Sequence, residues 1–268
     1  MKRMGKKSGL STLLRLTPLK VFLTYTLVIF ISTFFYFYIP EIFEEKITIS
    51  DSLYFSVVTI TTLGYGDLSP ISNCGKTIAA LEALLGVILI GIFLLAVSNQ
   101  LIEKEEKKRI DAAKENIKAQ YNAWKHDIMY SLLFLLEPDK GVDSDLPNKL
   151  TDVNEFKEYF KEDNSSRWHA IASNLSSDSY YSNEVTSGLE ALQHHIETFI
   201  SVARISDPHV LMQLTDYINQ LRWMRKRNLD EYDDQKVFMR NLWSILAQWD
   251  FMTGHHHRDI LLEAINNT

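Results

Sequence analysis

Two long apolar runs stand in the first part of the chain. Residues 21–39 contain no charged side chain, and residues 77–102 contain only Glu82. As a helix the first run would reach about 29 Å, which matches the hydrocarbon core of a bilayer. The pattern predicts an outer and an inner transmembrane helix. A cleaved signal peptide is the alternative for the first run, but this run is too long and no small-residue cleavage site follows it.

A shorter apolar segment, residues 51–61, lies between the two predicted spans. It would be only about 16 Å long as a helix, so it cannot cross a bilayer. We expect it to enter the membrane and return as a re-entrant pore helix, which is allowed when the adjoining backbone lines water or is buried in protein. Asp51 would cap this helix or complement its positive end.

Basic residues flank the two spans on the same side. The flanking residues are Lys2, Arg3, Lys6, Lys7, Arg15 and Lys20 before the first span and Lys104, Lys107, Lys108 and Arg109 after the second. The positive-inside rule predicts that both termini are cytoplasmic and that the connector, residues 40–76, is outside. We therefore expect a multi-pass protein of the cell membrane, with residues 1–20 as a basic cytoplasmic segment.

The short segment is followed by a glycine-rich motif, Thr-Thr-Leu-Gly-Tyr-Gly-Asp at residues 61–67. Successive carbonyl groups can point at one axis only if the backbone alternates between right- and left-handed conformations. Glycine adopts the left-handed conformation without a Cβ penalty, and Gly64 and Gly66 supply it here. Stacked carbonyl oxygens of this kind can replace the hydration shell of an ion.

This motif resembles the selectivity filter of tetrameric potassium channels, and residues 20–102 resemble simple two-span bacterial members of that family. The resemblance implies a filter of residues 62–67 in which Thr62, Leu63, Gly64 and Tyr65 hold K⁺ and Gly66 completes the loop. It also implies a homotetramer, in which three further copies of the chain complete each oxygen layer. An aromatic Tyr65 favours K⁺ selectivity, and K⁺ is the permeant ion rather than a cofactor.

Further roles follow from this resemblance and from helical spacing. Asp67, Tyr54 and Glu82 are expected to support the filter, and Tyr54 could donate a hydrogen bond to Asp67. Glu82 has a structural role or attracts cations directly, since an ionisable residue inside a span is costly. Gly86 occupies the gating-hinge position, with close helix packing as the alternative. The predicted inner pore lining, with lipid-facing packing as the alternative, is Ile90, Leu94, Val97 and Ser98.

The remainder of the chain predicts an all-α cytoplasmic region. Residues 103–137 should extend the inner helix, and residues 138–268 should form a helical domain. The extension carries an apolar stripe of Ala113, Ile117, Tyr121, Trp124, Ile128 and Leu132. This stripe could pair between chains in a parallel bundle, or it could pack against later helices of the same chain. Asp207 followed by Pro208 predicts a helix start.

Composition excludes several functions. The first 102 residues carry eight basic and six acidic side chains, whereas the rest carries 20 and 28, so nucleic acid is not an expected partner. Cys74 is the single cysteine and cannot form a disulfide within the chain. The few glycines after residue 102 allow neither a dinucleotide turn nor a phosphate loop. The run His255 to His257 could bind a metal, but three consecutive histidines on a helix point in different directions, so a solvated surface is the expectation.

The sequence therefore predicts a potassium-selective channel, an all-α membrane protein with two spans, a re-entrant pore helix and a filter loop. We expect its gate at the inner helices, and its cytoplasmic domain could respond to a ligand or protein that the sequence does not identify. A non-conducting membrane anchor for a partner-binding helical scaffold is the alternative. An intramembrane enzyme or transporter is a third hypothesis, but the chain has neither internal repeats nor a catalytic arrangement, so we expect no enzyme activity.

Overall fold

The computed structural model describes residues 17–39, 41–136, 141–161, 166–250, 255–256 and 258–268. The chain divides into two compact units, Met1–Glu106 and Lys107–Thr268. Most of the predicted basic N-terminal segment lies outside the described residues, and so do the side chains of the run His255 to His257. The unit boundary falls four residues beyond the predicted end of the inner helix at residue 102.

The described residues of the first unit form three helices, which we number α1 (Pro18–Tyr38), α2 (Ile49–Ile60) and α3 (Asn73–Leu136). Both α1 and α3 are long and apolar enough to cross a membrane. Helix α1 begins three residues before its predicted start, because Pro18 is well suited to a first turn, where its missing N–H costs nothing. Helix α3 is a single helix of 64 residues that continues past residue 106 into the second unit.

The described part of the first unit buries several polar side chains and exposes many large apolar ones. The buried polar side chains are Ser32, Thr33, Ser52, Ser56 and Glu82. Large apolar residues of α1 such as Phe22, Leu27 and Phe34 are exposed. Exposed apolar area of this extent indicates a membrane or protein partner, and small or polar residues at helix contacts are typical of membrane proteins.

Helix α2 begins two residues before the predicted start, and Asp51 is not its N-cap. Thr48 is the N-cap, and its side chain accepts a hydrogen bond from the backbone N–H of Asp51. The Asp51 carboxylate in turn accepts from the backbone N–H of Thr48 at 3.0 Å. This reciprocal capping box satisfies donors that the helix end would leave unpaired. The 12-residue helix is about 18 Å long and is too short to span.

The second unit packs the final part of α3 with seven further helices and one short strand pair among the described residues. The helices are α4 (Leu146–Lys149), α5 (Val153–Lys161), α6 (Ser166–Ser177), α7 (Ser179–Ala203), α8 (Pro208–Arg225), α9 (Tyr232–Ala247) and α10 (Ile260–Asn266). Strands β1 (Trp249–Asp250) and β2 (His255–His256) pair antiparallel. This two-residue pairing is a small departure from the predicted all-α architecture. Helix α8 begins at the predicted Asp207–Pro208 signal, with Asp207 as its N-cap.

The apolar stripe of α3 is buried in the core of its own chain. All six stripe residues, from Ala113 to Leu132, belong to one cluster with α7 residues such as Val185 and Ile196. The structure therefore favours packing against later helices over a parallel bundle between chains. Residues 107–136, which the sequence assigned to a separate extension, are part of the second compact unit.

A buried ion pair ties the final helix to α3. Lys125 Nζ lies 3.0 Å from Asp259 Oδ2, and both side chains are almost fully buried. The hydroxyl of Tyr121 donates to the same carboxylate oxygen at 3.0 Å. Burial, together with the nearby Tyr217 and Asp259, raises the pKa of Tyr121 far above its ordinary value. Asp259 also caps α10 by accepting from the backbone N–H of Leu262, so one carboxylate fixes both elements.

Candidate functional site

The glycine-rich loop after α2 has an alternating backbone. Thr62, Gly64 and Gly66 have φ values of 59°, 54° and 79°. These three left-handed residues are spaced two apart along the motif, which matches the alternation expected at Gly64 and Gly66. Thr62 adds a third, and a non-glycine residue at positive φ is uncommon and often marks a functional site.

Hydrogen bonds tie the start of this loop to the end of α2. The backbone N–H groups of Leu63 and Gly64 both point at the carbonyl oxygen of Val58, at 3.0 and 3.4 Å. The hydroxyl of Thr61 donates to the Val57 carbonyl at 2.6 Å. Residues 62–67 are all exposed in the single chain. These bonds anchor the start of the loop, while the exposed residues 62–67 are not covered by their own chain.

The structure contains the hydrogen bond from Tyr54 to Asp67 that the sequence suggests. The Tyr54 hydroxyl donates to Asp67 Oδ2 at 2.8 Å. Tyr54 lies on α2, and Asp67 follows the filter motif directly, so this bond joins the loop's outer end to the helix. Together with the bonds to Val58, it holds the loop at both ends.

Glu82 forms the buried polar centre of the first unit. Only 2% of its surface is exposed. The Tyr36 hydroxyl of α1 donates to Glu82 Oε2 at 2.6 Å, and the Ser56 hydroxyl of α2 donates to Oε1. One carboxyl group on α3 therefore binds both other helices. This contact set fits the predicted structural role, and the burial leaves Glu82 no open path to an ion in the single chain.

Gly86 lies where α3 passes the end of α2. A Cβ at this position would overlap the carbonyl oxygen of Ile60, the last residue of α2. The close-packing alternative for Gly86 thus has direct structural support. Glu82 and Gly86 are four residues apart on α3, and their partners Ser56 and Ile60 are four apart on α2. The two helices therefore meet in matched register just before the filter loop.

The four predicted lining residues do not share one environment. Ile90 borders a groove with Val21, Phe22 and Tyr25 of α1. Leu94 and Ser98 are exposed, and Val97 is partly buried. Ile90 is also exposed, so Ile90, Leu94 and Ser98 are all available to face a pore.

Comparison with known proteins agrees with this arrangement. A protein family described as "Ion channel" matches residues 23–103, the segment that contains α1, α2, the filter motif and the first part of α3. The resemblance to potassium channels is confirmed. The relatives are ion channels and not enzymes, and the described residues of the chain include two helices long and apolar enough to cross a membrane.

Individual relatives cover the same region. The chain is 48% identical over 56 residues to two pore potassium channel b of Oryza sativa, which is 21% of this chain and 16% of the rice protein. It is 43% identical over 56 residues to two-pore potassium channel 1 of Arabidopsis thaliana, 21% of this chain and 15% of that protein. It is 28% identical over 120 residues to the calcium-gated potassium channel TvoK of Thermoplasma volcanium, 41% of this chain and 33% of that channel. The chain thus spans a third or less of each relative's length, and no solved structure matches it.

Sequence reasoning did not identify two residues of the buried centre. Tyr36 lies within an aromatic-rich span and Ser56 within a short apolar helix, so neither differs visibly from its neighbours. Glu82 itself could have pointed to them, since a buried carboxyl group in a span requires hydrogen-bond donors around it. The hydroxyl residues of α1 and α2 were the available donors, but only the tertiary structure shows which of them reach it.

Proposed function

We propose that the chain forms a potassium-selective channel as a homotetramer. The single observation that carries this proposal is the filter loop. Its sequence is that of a K⁺ filter, and left-handed residues occur at Thr62, Gly64 and Gly66. Such alternation turns successive carbonyl oxygens toward one side, where Thr62, Leu63, Gly64 and Tyr65 would each contribute one ion-coordinating layer.

The exposure of this loop supports the oligomer. A single chain supplies one oxygen per layer, and a dehydrated K⁺ requires several. Tyr65 is 67% exposed and Leu63 59% exposed, so the loop is not covered by its own chain. Four copies around an axis would complete each layer and cover these side chains. The apolar faces of α1 and α3 would then contact neighbouring copies and lipid.

Asp67, Tyr54 and Glu82 support the filter in this proposal. Tyr54 holds Asp67 at the outer end of the loop, while Glu82 fixes α2 against α1 and α3. A filter of carbonyl dipoles can select an ion only if its layers keep their spacing, and these bonds restrain the helix from which the loop starts. The bonds therefore help the layers keep their spacing.

Gating in this proposal occurs along α3. A bend near Gly86 or movement of the exposed Leu94 and Ser98 would change the width of the inner pore, and an apolar constriction there can close by dewetting. Because α3 continues without a break into the cytoplasmic unit, a ligand or protein bound there could bias the pore. It could do so only through different affinities for the open and closed states.

The membrane placement is also part of the proposal. In it both termini are cytoplasmic and the loop between residues 40 and 76 lies outside the plasma membrane, which the two spans and their basic flanks support. The α2 helix would then enter the membrane from outside and return through the filter. Its length of 12 residues supports this route, because a segment this short cannot reach the other face.

The competing function is a non-conducting anchor for the cytoplasmic helical unit. Reconstitution of the purified full-length protein in liposomes under a K⁺ gradient separates the two. We expect K⁺ flux without Na⁺ flux, and an absence of K⁺ flux would favour the anchor.

The substitution Tyr65→Asp tests the filter assignment in the same liposomes. It should reduce discrimination between K⁺ and Na⁺, because a carboxylate at this position opens a hydrated vestibule in place of one carbonyl layer. Tyr65→Phe, which keeps the ring, is the matched control and should remain selective. If the Asp variant shows an unchanged reversal potential in mixed K⁺ and Na⁺, residues 62–67 are not the filter.

A further inference from the structure

A cleft in the cytoplasmic unit has no part in the proposed conduction path. It lies between α6 and α9 and has a volume of about 600 Å³. Volumes of this size are typical of sites that hold small organic molecules. Its walls carry the polar side chains, and its floor is apolar.

The floor of the cleft is fixed by the core beneath it. Trp168 and Met239 line the floor, and both are almost fully buried. The Trp168 ring meets Trp243 edge to face at 4.6 Å between centroids and Phe160 at 5.4 Å. The side-chain amide of Gln235 on α9 donates to the backbone carbonyl of Ala172 on α6. The apolar surface is therefore held in place without a ligand.

One wall of the cleft is cationic. Lys236 and Arg240 lie one turn apart on α9, and like charges at this spacing destabilise a helix. Among the described residues neither side chain has an ion-pair partner, and no acidic side chain lines the cleft. This positive pair is notable because the chain beyond residue 102 has eight more acidic than basic side chains.

The opposite wall supplies hydrogen-bonding groups. His169 and Ser173 lie one turn apart on α6, and both are exposed toward the cleft. The hydroxyl of Ser176 is already used, because it donates to the backbone carbonyl of Ser173. The imidazole of His169 and the hydroxyl of Ser173 therefore remain available to a ligand held by the two cations.

We propose that this cleft binds a small soluble organic anion. Its phosphate or carboxylate group lies between Lys236 and Arg240, where a guanidinium offers a paired set of N–H donors and an ammonium a compact charge. Its apolar or aromatic body rests on Trp168 and Met239. His169 and Ser173 bind polar atoms on the far side. This assignment does not depend on the pore, since every residue involved belongs to the cytoplasmic unit.

Phenyl phosphate is a suitable probe because it joins an anion to an aromatic ring. Titration calorimetry with the full-length protein in nanodiscs made of lipid without net charge should show saturable binding of phenyl phosphate. Inorganic phosphate and phenol, which each carry half of the chemistry, should bind at least about tenfold more weakly. The double variant Lys236→Gln/Arg240→Gln should lose about tenfold or more in affinity.

Two further variants separate the site from general charge effects. Lys226→Gln removes an exposed lysine outside the cleft and should leave the affinity unchanged. Ser173→Trp fills the cleft from its exposed wall without changing the charge and should abolish binding, with circular dichroism confirming an intact helical fold. The proposal is overturned if phenyl phosphate gives no binding up to about 10 mM. It is also overturned if the double variant, or Ser173→Trp, binds as well as the unsubstituted protein.

Discussion

Replacement of Glu82 by leucine should lower the stability of the first unit by an amount that follows from the hydrogen bonds it loses. The carboxyl group accepts from Tyr36 at 2.6 Å and from Ser56. The Ser56 hydroxyl also lies 3.2 Å from the backbone carbonyl of Ile29, so it has a second acceptor. Tyr36 is 2% exposed and has no such alternative among its described contacts. Ser32, which is also buried, is a third hydrogen-bonding partner of this carboxyl group, so the loss falls mainly on the Tyr36 and Ser32 hydroxyls.

A buried donor left without an acceptor costs about 1 to 3 kcal/mol. In a tetramer the four copies would together lose about 4 to 12 kcal/mol, which is comparable to the whole stability of many domains. Glu82→Gln keeps one carbonyl oxygen and nearly the same shape. It should therefore cost less than Glu82→Leu.

Size-exclusion chromatography in detergent after a graded heat challenge measures the order of stability of these variants. The yield of the oligomer should fall from the unsubstituted protein to Glu82→Gln and further to Glu82→Leu. Adding Tyr36→Phe to Glu82→Leu should recover part of the loss, because the orphaned hydroxyl is removed. Adding Ser56→Ala instead should recover little. Equal yields for the Gln and Leu variants, or no recovery with Tyr36→Phe, would refute the reasoning.

Three other predictions concern the helix contact, the cytoplasmic unit and the orientation. Gly86→Ala should lower the yield of folded oligomer in the same chromatographic assay, because the methyl group overlaps the carbonyl of Ile60. The control Gly91→Ala meets no atom within 4 Å and should be tolerated. An equal loss of oligomer yield in both variants would contradict the close approach at Gly86. A chain that ends at Glu106 should retain selective K⁺ flux with an altered open probability in single-channel recordings, and an unchanged open probability would show that the cytoplasmic unit does not gate the pore. Cys74, the single and exposed cysteine, should react with a membrane-impermeant maleimide on intact cells, and labelling only after lysis would reverse the proposed orientation.

The truncated chain ends at Glu106 so that no part of the apolar stripe of α3 remains in it. The stripe from Ala113 to Leu132 is buried against α7 and its neighbours. A chain cut at the end of α3 would expose these apolar side chains and would test aggregation rather than gating.

The sequence alone determined the membrane character and the candidate filter of this protein. Both signals are local. A run of about 20 apolar residues specifies a spanning helix because its length and composition match the bilayer. The motif at residues 61–67 indicates its backbone conformation because glycine is the residue that adopts positive φ freely. Even there, the left-handed Thr62 was not visible, since threonine carries no such preference.

Only the tertiary structure decided which residues meet. The stripe of α3 has a period that suits either a bundle between chains or the core of one chain, and burial among α7 residues settled the choice. Glu82 was recognisable as a costly residue, but its donors, Tyr36 and Ser56, are 46 and 26 residues away in sequence. Hydropathy and spacing describe one helix face at a time. The contact between two faces depends on how distant segments pack, and no local pattern encodes that.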